Sequence, residues 1–466
     1  MPLIPHTDDE LRAMLGAIGV DSIEALFDEI PDRLLCGTLE AMPTAVSEVD
    51  ASRLMSARAR LDGVPTCFIG AGAYDHYVPA AVWQIAARGE FYSASAPCQA
   101  EASQGTLQLL YEFQSMMAAL TAMDVSNASL YDGASALAEA VLMAVRINRK
   151  SKSRRVLVPK SLHPAYRRVA GNIVRNQGIV LEELPYDPAG GHIDPVLLQQ
   201  YDGLDITALV IPQPNFFGVL EEADTLVEWA RVNGAVTVAV VNPLSLSVLS
   251  PPGEWGERGV DICCGDGQPL GAPLSSGGPY FGFLCCRQAF VRHLPGWIVG
   301  RTLDVDGKTG FTLTLHARNR RTRRSGAASN ICTNQGLMVT AATIHMALMG
   351  AEGLSRTAAS CHSNTLRLGE RLSMLPGVSI RFDRPVFHEQ VVTLPVAANG
   401  VLRTLAAHNV LGGLDLSRDY PELGNAILCC ATERRTAEEI EIFTGRLERA
   451  VALQGGAPCR LQPKGW

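Results

Sequence analysis

A loop rich in glycine, proline and serine, held between two apolar segments, is the part of this sequence best placed to carry chemistry. Residues 260–264 and 280–286 flank it and have the composition of buried strands. The loop contains Gln268 and a Gly-Gly-Pro turn at 277–279, but no lysine. A glutamine amide cannot form an imine with a carbonyl compound, as a lysine amine can. Covalent attachment of a carbonyl cofactor at this loop is therefore not expected.

Lysine is scarce along the whole chain, with five residues against 35 arginines. Lys160, which ends a strand-like segment at 155–160, is the one alternative anchor with a defined position. A lone lysine after a strand is more often a solvated strand end, and we favour that interpretation. The other four lysines lie in a charged run, an Asp/Gly turn and the polar tail. A general bias toward arginine explains part of the scarcity.

Length and composition describe a large soluble globular protein. The chain has 466 residues, which is longer than a domain with one compact hydrophobic core usually is. This length predicts two domains, or one large domain with a lid. A net charge of −7 gives no electrostatic reason to expect nucleic acid or an anionic membrane as a partner. The one basic exception is an arginine cluster at 318–324, for which a solvated helix face is favoured over an anionic contact.

The twelve cysteines do not form a disulfide framework. Three adjacent pairs, at 263–264, 285–286 and 429–430, lie in apolar strand-like runs, where neighbouring side chains point to opposite faces as small buried hydrophobes. No CxxC or Cys/His ligand spacing occurs, so no metal site is expected. The first ten residues lack a signal-peptide pattern, and no uninterrupted apolar run reaches about 18 residues. We therefore expect a cytoplasmic protein without a membrane span.

The pattern along the chain predicts an α/β protein with a helical N-terminal extension. Thr7 with Glu10, and Asp21 with Glu24, form capping boxes before apolar helical repeats. After an irregular stretch at 65–105, apolar strands alternate with helices, which indicates a mostly parallel sheet covered on both faces. The predicted divisions are a helical segment 1–62, a large domain 63–315, a smaller α+β domain 316–455 and a tail 456–466.

Polar residues follow several of the predicted strands. Residues 132–136 open a helix with glycine and hydroxyl groups, which suits either a phosphate or an ordinary helix cap, and we favour the cap. His163 follows a strand and is either a ring that stacks on a ligand or, as we favour, a loop histidine with satisfied partners. Residues 213–218 end another strand, at the sheet edge where ligands collect, although a structural turn explains them equally well.

Eight motifs, in order over nearly the whole chain, carry a family resemblance. They lie at 5–8, 70–77, 101–105, 131–134, 214–218, 267–271, 329–335 and 420–423. On these motifs the chain closely resembles the glycine cleavage system P-protein, at its subunit 1, the N-terminal-half subunit. The fold that this resemblance implies is α/β and aspartate-aminotransferase-like, that is, fold type I of the pyridoxal-phosphate (PLP) transferases. It has a large, mostly parallel sheet domain and a smaller C-terminal α+β domain.

The resemblance also implies an activity in which this chain does not anchor the cofactor. Gln268 stands where PLP-bearing relatives keep their lysine, and Asn242 stands where they commonly carry an aspartate for the pyridine nitrogen. PLP is then expected on a lysine of glycine dehydrogenase subunit 2. The implied reaction decarboxylates glycine and transfers its aminomethyl group to the lipoyl arm of the H-protein. A heterotetramer with two copies of each subunit is the implied assembly.

The resemblance places a set of residues at the partner's substrate pocket or at the subunit interface: Ser95, Cys98, Gln99, Ser103, Gln104, Asn330 and Asn334. Two of them depart from the family pattern, which has tyrosines at the positions of Ser95 and Cys98. The segment 324–328 also departs from it. These departures leave two alternatives open. One is a complex that acts on another small amino acid, and the other is a PLP-lacking pseudoenzyme that serves as a regulatory partner.

Overall fold

The structure is a computed structural model that describes residues 6–35, 41–91, 97, 99–275, 277–314, 329, 331 and 334–455. The chain forms two compact units, Met1–Gly63 and Val64–Trp466. The boundary predicted at 315/316 lies outside the described residues, and so does the predicted tail.

The N-terminal unit contains two helices, α1 (Asp8–Ile18) and α2 (Glu48–Ala59). The capping box of Thr7 and Glu10 is present at the start of α1, as predicted. The second predicted box, Asp21 with Glu24, is wrong. Ser22 accepts the hydrogen bond from the Ala25 backbone instead, and only one 3-10 turn forms there. A short segment without an apolar surface to pack on rarely extends into a full helix.

The second unit holds all the strands and the remaining helices. The strands are β1 (Thr66–Cys67), β2 (Val125–Ser126), β3 (Arg155–Pro159), β4 (Val180–Leu184), β5 (Ala208–Gln213), β6 (Val236–Val241), β7 (Ile262–Asp266), β8 (Gly282–Cys286), β9 (Ile298–Leu303), β10 (Thr309–Thr314), β11 (Ser379–Ile380), β12 (Glu389–Thr393), β13 (Val410–Leu411), β14 (Leu414–Asp415) and β15 (Ala426–Cys430). The helices are α3 (Ala80–Ala86), α4 (Gln104–Thr121), α5 (Gly133–Ile147), α6 (Pro164–Val174), α7 (Pro195–Leu198), α8 (Ala223–Val232), α9 (Gly336–Ser373), α10 (Ala398–Ala406) and α11 (Ala437–Gly455).

A seven-stranded sheet in the order β2-β8-β7-β6-β5-β3-β4 forms the centre of this unit. Its strands from β7 to β4 are parallel to one another, β8 runs antiparallel to β7, and β2 in turn pairs antiparallel with β8. The predicted mostly parallel, doubly covered sheet is thus confirmed. Cys263 and Cys285 pack in the core on one face, and Cys264 and Cys286 pack in the core on the other. The cysteine pairs therefore act as small buried hydrophobes, as the strand period predicts.

A smaller antiparallel sheet, β11-β12-β15-β14, lies in the C-terminal part of the chain. Helices α10, α11 and the second half of α9 cover it, with Phe443, Leu372 and Val401 in its core. The short strand β1 pairs with β13, so the chain that follows the N-terminal unit joins this part of the fold. The described residues 334–455 thus have the α+β character that the predicted fold class includes, and the predicted domain bounds stay a prediction.

Helix α9 is the one described helix that is long and apolar enough to cross a membrane by length and composition alone. Half of its apolar stretch is buried inside the protein. It packs against α3 and α4, as the core helix of a globular unit does.

Candidate functional site

A small cavity lies at the carboxyl ends of β5, β6 and β7, where ligands of open α/β sheets bind. Its volume is about 70 Å³. Pockets that enclose organic ligands usually measure roughly 300–1,000 Å³. The residues that close it show why so little space remains.

Gln268 is the central residue of this closure. It is 1 % exposed, and all its polar atoms have partners. Its amide nitrogen donates to the carbonyl oxygens of Tyr74 and Ala272, each at 2.8 Å. Its amide oxygen accepts from the Tyr74 backbone N–H at 2.9 Å. The side chain therefore ties the 70–77 loop to the end of β7 and offers no amine to a carbonyl compound.

Two carboxyl groups occupy the N-terminus of α5, and the N-terminus of a helix is a common binding position for phosphate. Asp266 accepts from the backbone N–H groups of Gly133 at 3.0 Å and Gln268 at 2.9 Å. Asp132 accepts from the Ser135 N–H at 2.7 Å and completes a capping box. The favoured interpretation of residues 132–136, an ordinary helix cap, agrees with this geometry. A phosphate would find these donors occupied and two carboxyl groups beside it.

Burial raises the pKa of Asp266 to about 7, and the nearby charge of Asp132 raises it as well. The two backbone N–H groups oppose this effect by stabilising the carboxylate. The Tyr166 hydroxyl lies so close to Gly133 that a Cβ there would collide with it. The space above the helix N-terminus is thus filled by the chain's own side chains.

His163 is a satisfied loop residue and not a free stacking surface. Its Nδ1 accepts from the Ala165 N–H at 3.1 Å, so the proton lies on Nε2, which donates to the Ala71 carbonyl at 2.8 Å. Its ring stacks on Tyr166 and meets the edge of Phe216. Burial lowers the pKa of His163, which favours this neutral form.

Asn242 and His388 form a neutral pair where a carboxylate would be needed for a pyridine nitrogen. The Asn242 oxygen accepts from the Leu244 N–H at 2.9 Å, and its amide nitrogen lies 3.1 Å from His388 Nε2. Since the amide donates, the His388 proton lies on Nδ1. Burial lowers the pKa of His388 well below its usual value. No acid is therefore present at this position to hold a pyridine nitrogen protonated.

Glu389, which the sequence analysis missed, closes the cavity from the small sheet. It accepts from the Ala71 N–H at 2.6 Å and from the Tyr74 hydroxyl at 2.8 Å. Burial raises its pKa to about 7. The signal that could have revealed it is an acidic residue at the first position of a buried strand, at 389–393.

The residues expected at a partner's pocket are spread over the surface near the start of α4 and the start of α9. Gln104 donates to the Phe311 carbonyl at 2.9 Å and accepts from its N–H at 2.8 Å, which joins α4 to β10. Asn334 donates to the Ala128 carbonyl at 3.1 Å. Ser103 is buried and Gln99 is exposed. Three further predicted positions lie outside the described residues: Ser95, Cys98 and Asn330.

The fold and this sheet-edge site define the class of fold type I PLP enzymes, although the residues present do not fit PLP itself. The chain superposes on a solved glycine decarboxylase (P-protein) of the glycine cleavage system, in inhibitor-bound form. The TM-score is 0.87 at 38 % identity, over 97 % of this chain and 100 % of that one. A glutamate decarboxylase from Lactobacillus brevis shares the fold alone, with a TM-score of 0.68 at 13 % identity, over 93 % of this chain and 99 % of that one.

The sequence places the chain more narrowly. The family model of the glycine cleavage system P-protein matches residues 1–445. A probable glycine dehydrogenase (decarboxylating) subunit 1 from Thioalkalivibrio sulfidiphilus is 62 % identical, over 97 % of this chain and 100 % of its own. A relative of the same name from Legionella pneumophila is 54 % identical, over 98 % of this chain and 100 % of its own. The chain belongs to the glycine cleavage system P-protein family, among its subunit 1 members.

The closed site predicts that this chain takes up no PLP covalently. Incubation of the purified chain with PLP, then borohydride, should leave no pyridoxyl label on any lysine in peptide mass spectrometry. Lys160 is already ion-paired with Glu422 at 2.7 Å. A lysine-bearing subunit 2 treated in the same way is the positive control. A stoichiometric label on Lys160 would contradict the prediction.

The raised pKa of Glu389 predicts a pH-dependent stability. The pKa of Glu389 is about 7 in the folded chain, against an ordinary value of 4.5. Between pH 4.5 and pH 7 the folded state therefore binds more protons than the unfolded state does. Stability is then lost as pH rises through this window, by roughly 3 kcal/mol for a buried carboxyl. Glutamine carries no charge at this position. The free energy of unfolding of Glu389→Gln, relative to that of the wild type, should therefore rise by a large part of that amount between pH 5 and pH 8.

Denaturant unfolding of both chains at the two pH values measures this gain. Glu228→Gln is the control, because a backbone hydrogen bond from Glu257 lowers the pKa of that exposed carboxyl. Its difference from the wild type should stay constant between pH 5 and pH 8, since both states are ionised there. An equal pH dependence for the Glu389 variant and the wild type would show that Glu389 is already ionised in the fold at low pH.

Proposed function

We propose that this chain is the non-PLP-anchoring subunit of a cytoplasmic glycine dehydrogenase. In this proposal subunit 2 carries PLP on its own lysine, and the two chains together decarboxylate glycine. The aminomethyl group then passes to the lipoyl arm of the H-protein. The observation that carries the proposal is the closed cofactor site: Gln268, Asp266 and Glu389 fill it, while the rest of the fold type I architecture is kept.

The N-terminal unit also supports the presence of a partner chain, because this unit does not bury its own apolar side chains. No described residue of its helices or 3-10 turns is buried. Ile18 is 61 % exposed and Leu34 is 63 % exposed. More of its large hydrophobic residues are exposed as well: Met14, Ile23, Leu26, Phe27, Ile30, Leu35, Met42, Val46, Val49, Leu54, Met55 and Leu61. An apolar surface of this kind is covered in a stable assembly, and we assign it to subunit 2 in a tetramer of two copies of each chain.

A second surface for subunit 2 lies around the start of α4. Gln104 holds this helix to the β9–β10 hairpin through two hydrogen bonds with the Phe311 backbone. Leu303 and Val305 at the tip of that hairpin are fully or mostly exposed. Gln104 is therefore anchored to this hairpin. This anchoring supports a role in shaping the neighbouring subunit's pocket.

Reconstitution with subunit 2 tests the proposal. The two full-length chains should co-elute at the mass of a tetramer, and exchange of glycine carboxyl carbon with CO₂ should need both chains together with the lipoylated H-protein. Exchange by subunit 2 alone at the full rate would overturn the role of this chain. A stable complex without exchange would favour the regulatory pseudoenzyme.

Ser95 and Cys98, in place of tyrosines, are the observation that favours a different small amino acid as substrate. If these positions face glycine, the double variant Ser95→Tyr, Cys98→Tyr should raise glycine turnover in the reconstituted complex. A gain of about 1–3 kcal/mol in transition-state stabilisation is expected when both hydroxyls find partners. The measurement is kcat/KM for glycine, with Ser373→Tyr, at an exposed position that ends α9, as the control.

Each result of this measurement has a distinct meaning. Lower glycine turnover in the double variant would indicate a pocket remodelled for a larger substrate, since the tyrosines would overpack it. An unchanged rate would show that the 93–104 segment does not touch the substrate.

A further inference from the structure

Three side chains with metal-binding chemistry meet beside the small sheet, next to the closed cofactor site, and none of the three lines its cavity. The carboxylate of Glu433 lies 2.8 Å from His76 Nδ1 and 3.2 Å from the Cys361 thiol. One donor atom from each of the three residues lies within 4.8 Å of the others. Ligand atoms around a tetrahedral zinc ion are roughly 3.3–3.8 Å apart, as its bond lengths require. Small side-chain adjustments would bring these atoms to that spacing.

The three residues come from distant parts of the chain and are held in place by the fold. His76 belongs to the loop before α3, Cys361 to α9, and Glu433 follows β15. Glu433 also accepts from the Tyr77 N–H at 2.6 Å, and its own N–H donates to Cys361 sulfur at 3.2 Å. The sequence has no local Cys/His spacing, and for that reason no metal site was expected. That criterion does not detect a site assembled from residues that are far apart in the sequence.

Buried imidazole nitrogens without a partner among the described residues include Nε2 of His76, in the cluster, and Nδ1 of His388, whose ring lies 6.2 Å from that of His76. His76 is 8 % exposed. Buried polar atoms are nearly always satisfied, so each orphan needs a cause. An ion bound through Nε2 would supply the missing partner of His76.

The charge of the cluster favours a divalent ion. A dication bound by one thiolate, one carboxylate and one neutral imidazole has no net charge, which suits a buried site. Without a metal, burial raises the pKa of the Cys361 thiol, which donates to Glu433. Metal binding would break the S–H bond, form a sulfur–metal bond and release one proton to solvent.

We propose that His76, Cys361 and Glu433 bind one borderline-soft divalent ion of the zinc class. Mixed sulfur, nitrogen and oxygen donors select such an ion over magnesium or calcium. The ion would join the 70–77 loop, α9 and the segment after β15. Its role is structural, and it is independent of the proposed glycine chemistry.

Metal content and spectroscopy of the full-length chain, alone and with subunit 2, test this site. The chain purified without chelator should retain about one zinc per molecule. After removal of the metal, Co²⁺ should produce a thiolate-to-cobalt charge-transfer band in the near ultraviolet. Zn²⁺ at about 1,000 times its Kd should raise the midpoint of thermal unfolding by roughly 5 °C. The apparent Kd should rise about tenfold for each unit by which pH is lowered, because the thiol proton must leave.

Matched variants separate the site from adventitious binding. Cys361→Ala should abolish the cobalt band and weaken Zn²⁺ binding by at least about 100-fold. Cys286→Ala removes another buried thiol, in β8 of the large sheet, and should bind as the wild type does. Equal zinc binding by the Cys361 and wild-type chains would overturn the proposal. If the Cys361 variant does not fold, the wild-type chain alone tests the proposal. A wild-type chain that shows neither a cobalt band nor a shift of the unfolding midpoint with Zn²⁺ would overturn it.

Discussion

The hydrogen bonds of Asp266 and Gln268 at the end of β7 are the interaction on which the closed site depends. A carboxyl group that is largely removed from solvent is costly unless its oxygens are satisfied. Here the Gly133 and Gln268 backbones satisfy both oxygens, and the positive end of the α5 dipole adds to their effect. The Gln268 side chain, oriented by the same turn, accepts from the Tyr74 backbone N–H and donates to the Tyr74 carbonyl oxygen. The helix start, the strand end and the 70–77 loop are thereby joined without any ligand.

This closure explains how a cofactor fold persists in a chain that cannot hold the cofactor. In a PLP enzyme the phosphate and the ring bridge the helix N-terminus to the sheet edge. Here Asp266 takes the helix N-terminus, Asn242 pairs with neutral His388, and Glu389 binds the loop from the other sheet. The architecture at this sheet edge is therefore kept by internal groups.

Sequence reasoning found the features that depend on neighbouring residues. The cap of α5 by Asp132 and Ser135, the opposite faces of Cys263 and Cys264, and the missing lysine at Gln268 are all visible in short stretches. Groups that meet only through the tertiary fold were not found from it. Glu389 and Tyr74 are 315 positions apart, and His76 and Glu433 are 357 apart, so no local pattern joins them. The sites at 95, 98 and 330 lie outside the described residues and stay predictions.

The 70–77 loop connects the closed cofactor site with the His76 cluster. Tyr74 bonds Gln268 through its backbone and Glu389 through its hydroxyl, and its ring lies 4.3 Å from that of His388. Two residues later, His76 binds Glu433. Both sites thus hold one short loop from opposite ends, and the chain continues from it through α3 to the segment 93–104. The 70–77 loop is therefore fixed by buried polar contacts, which are directional and leave it few alternatives.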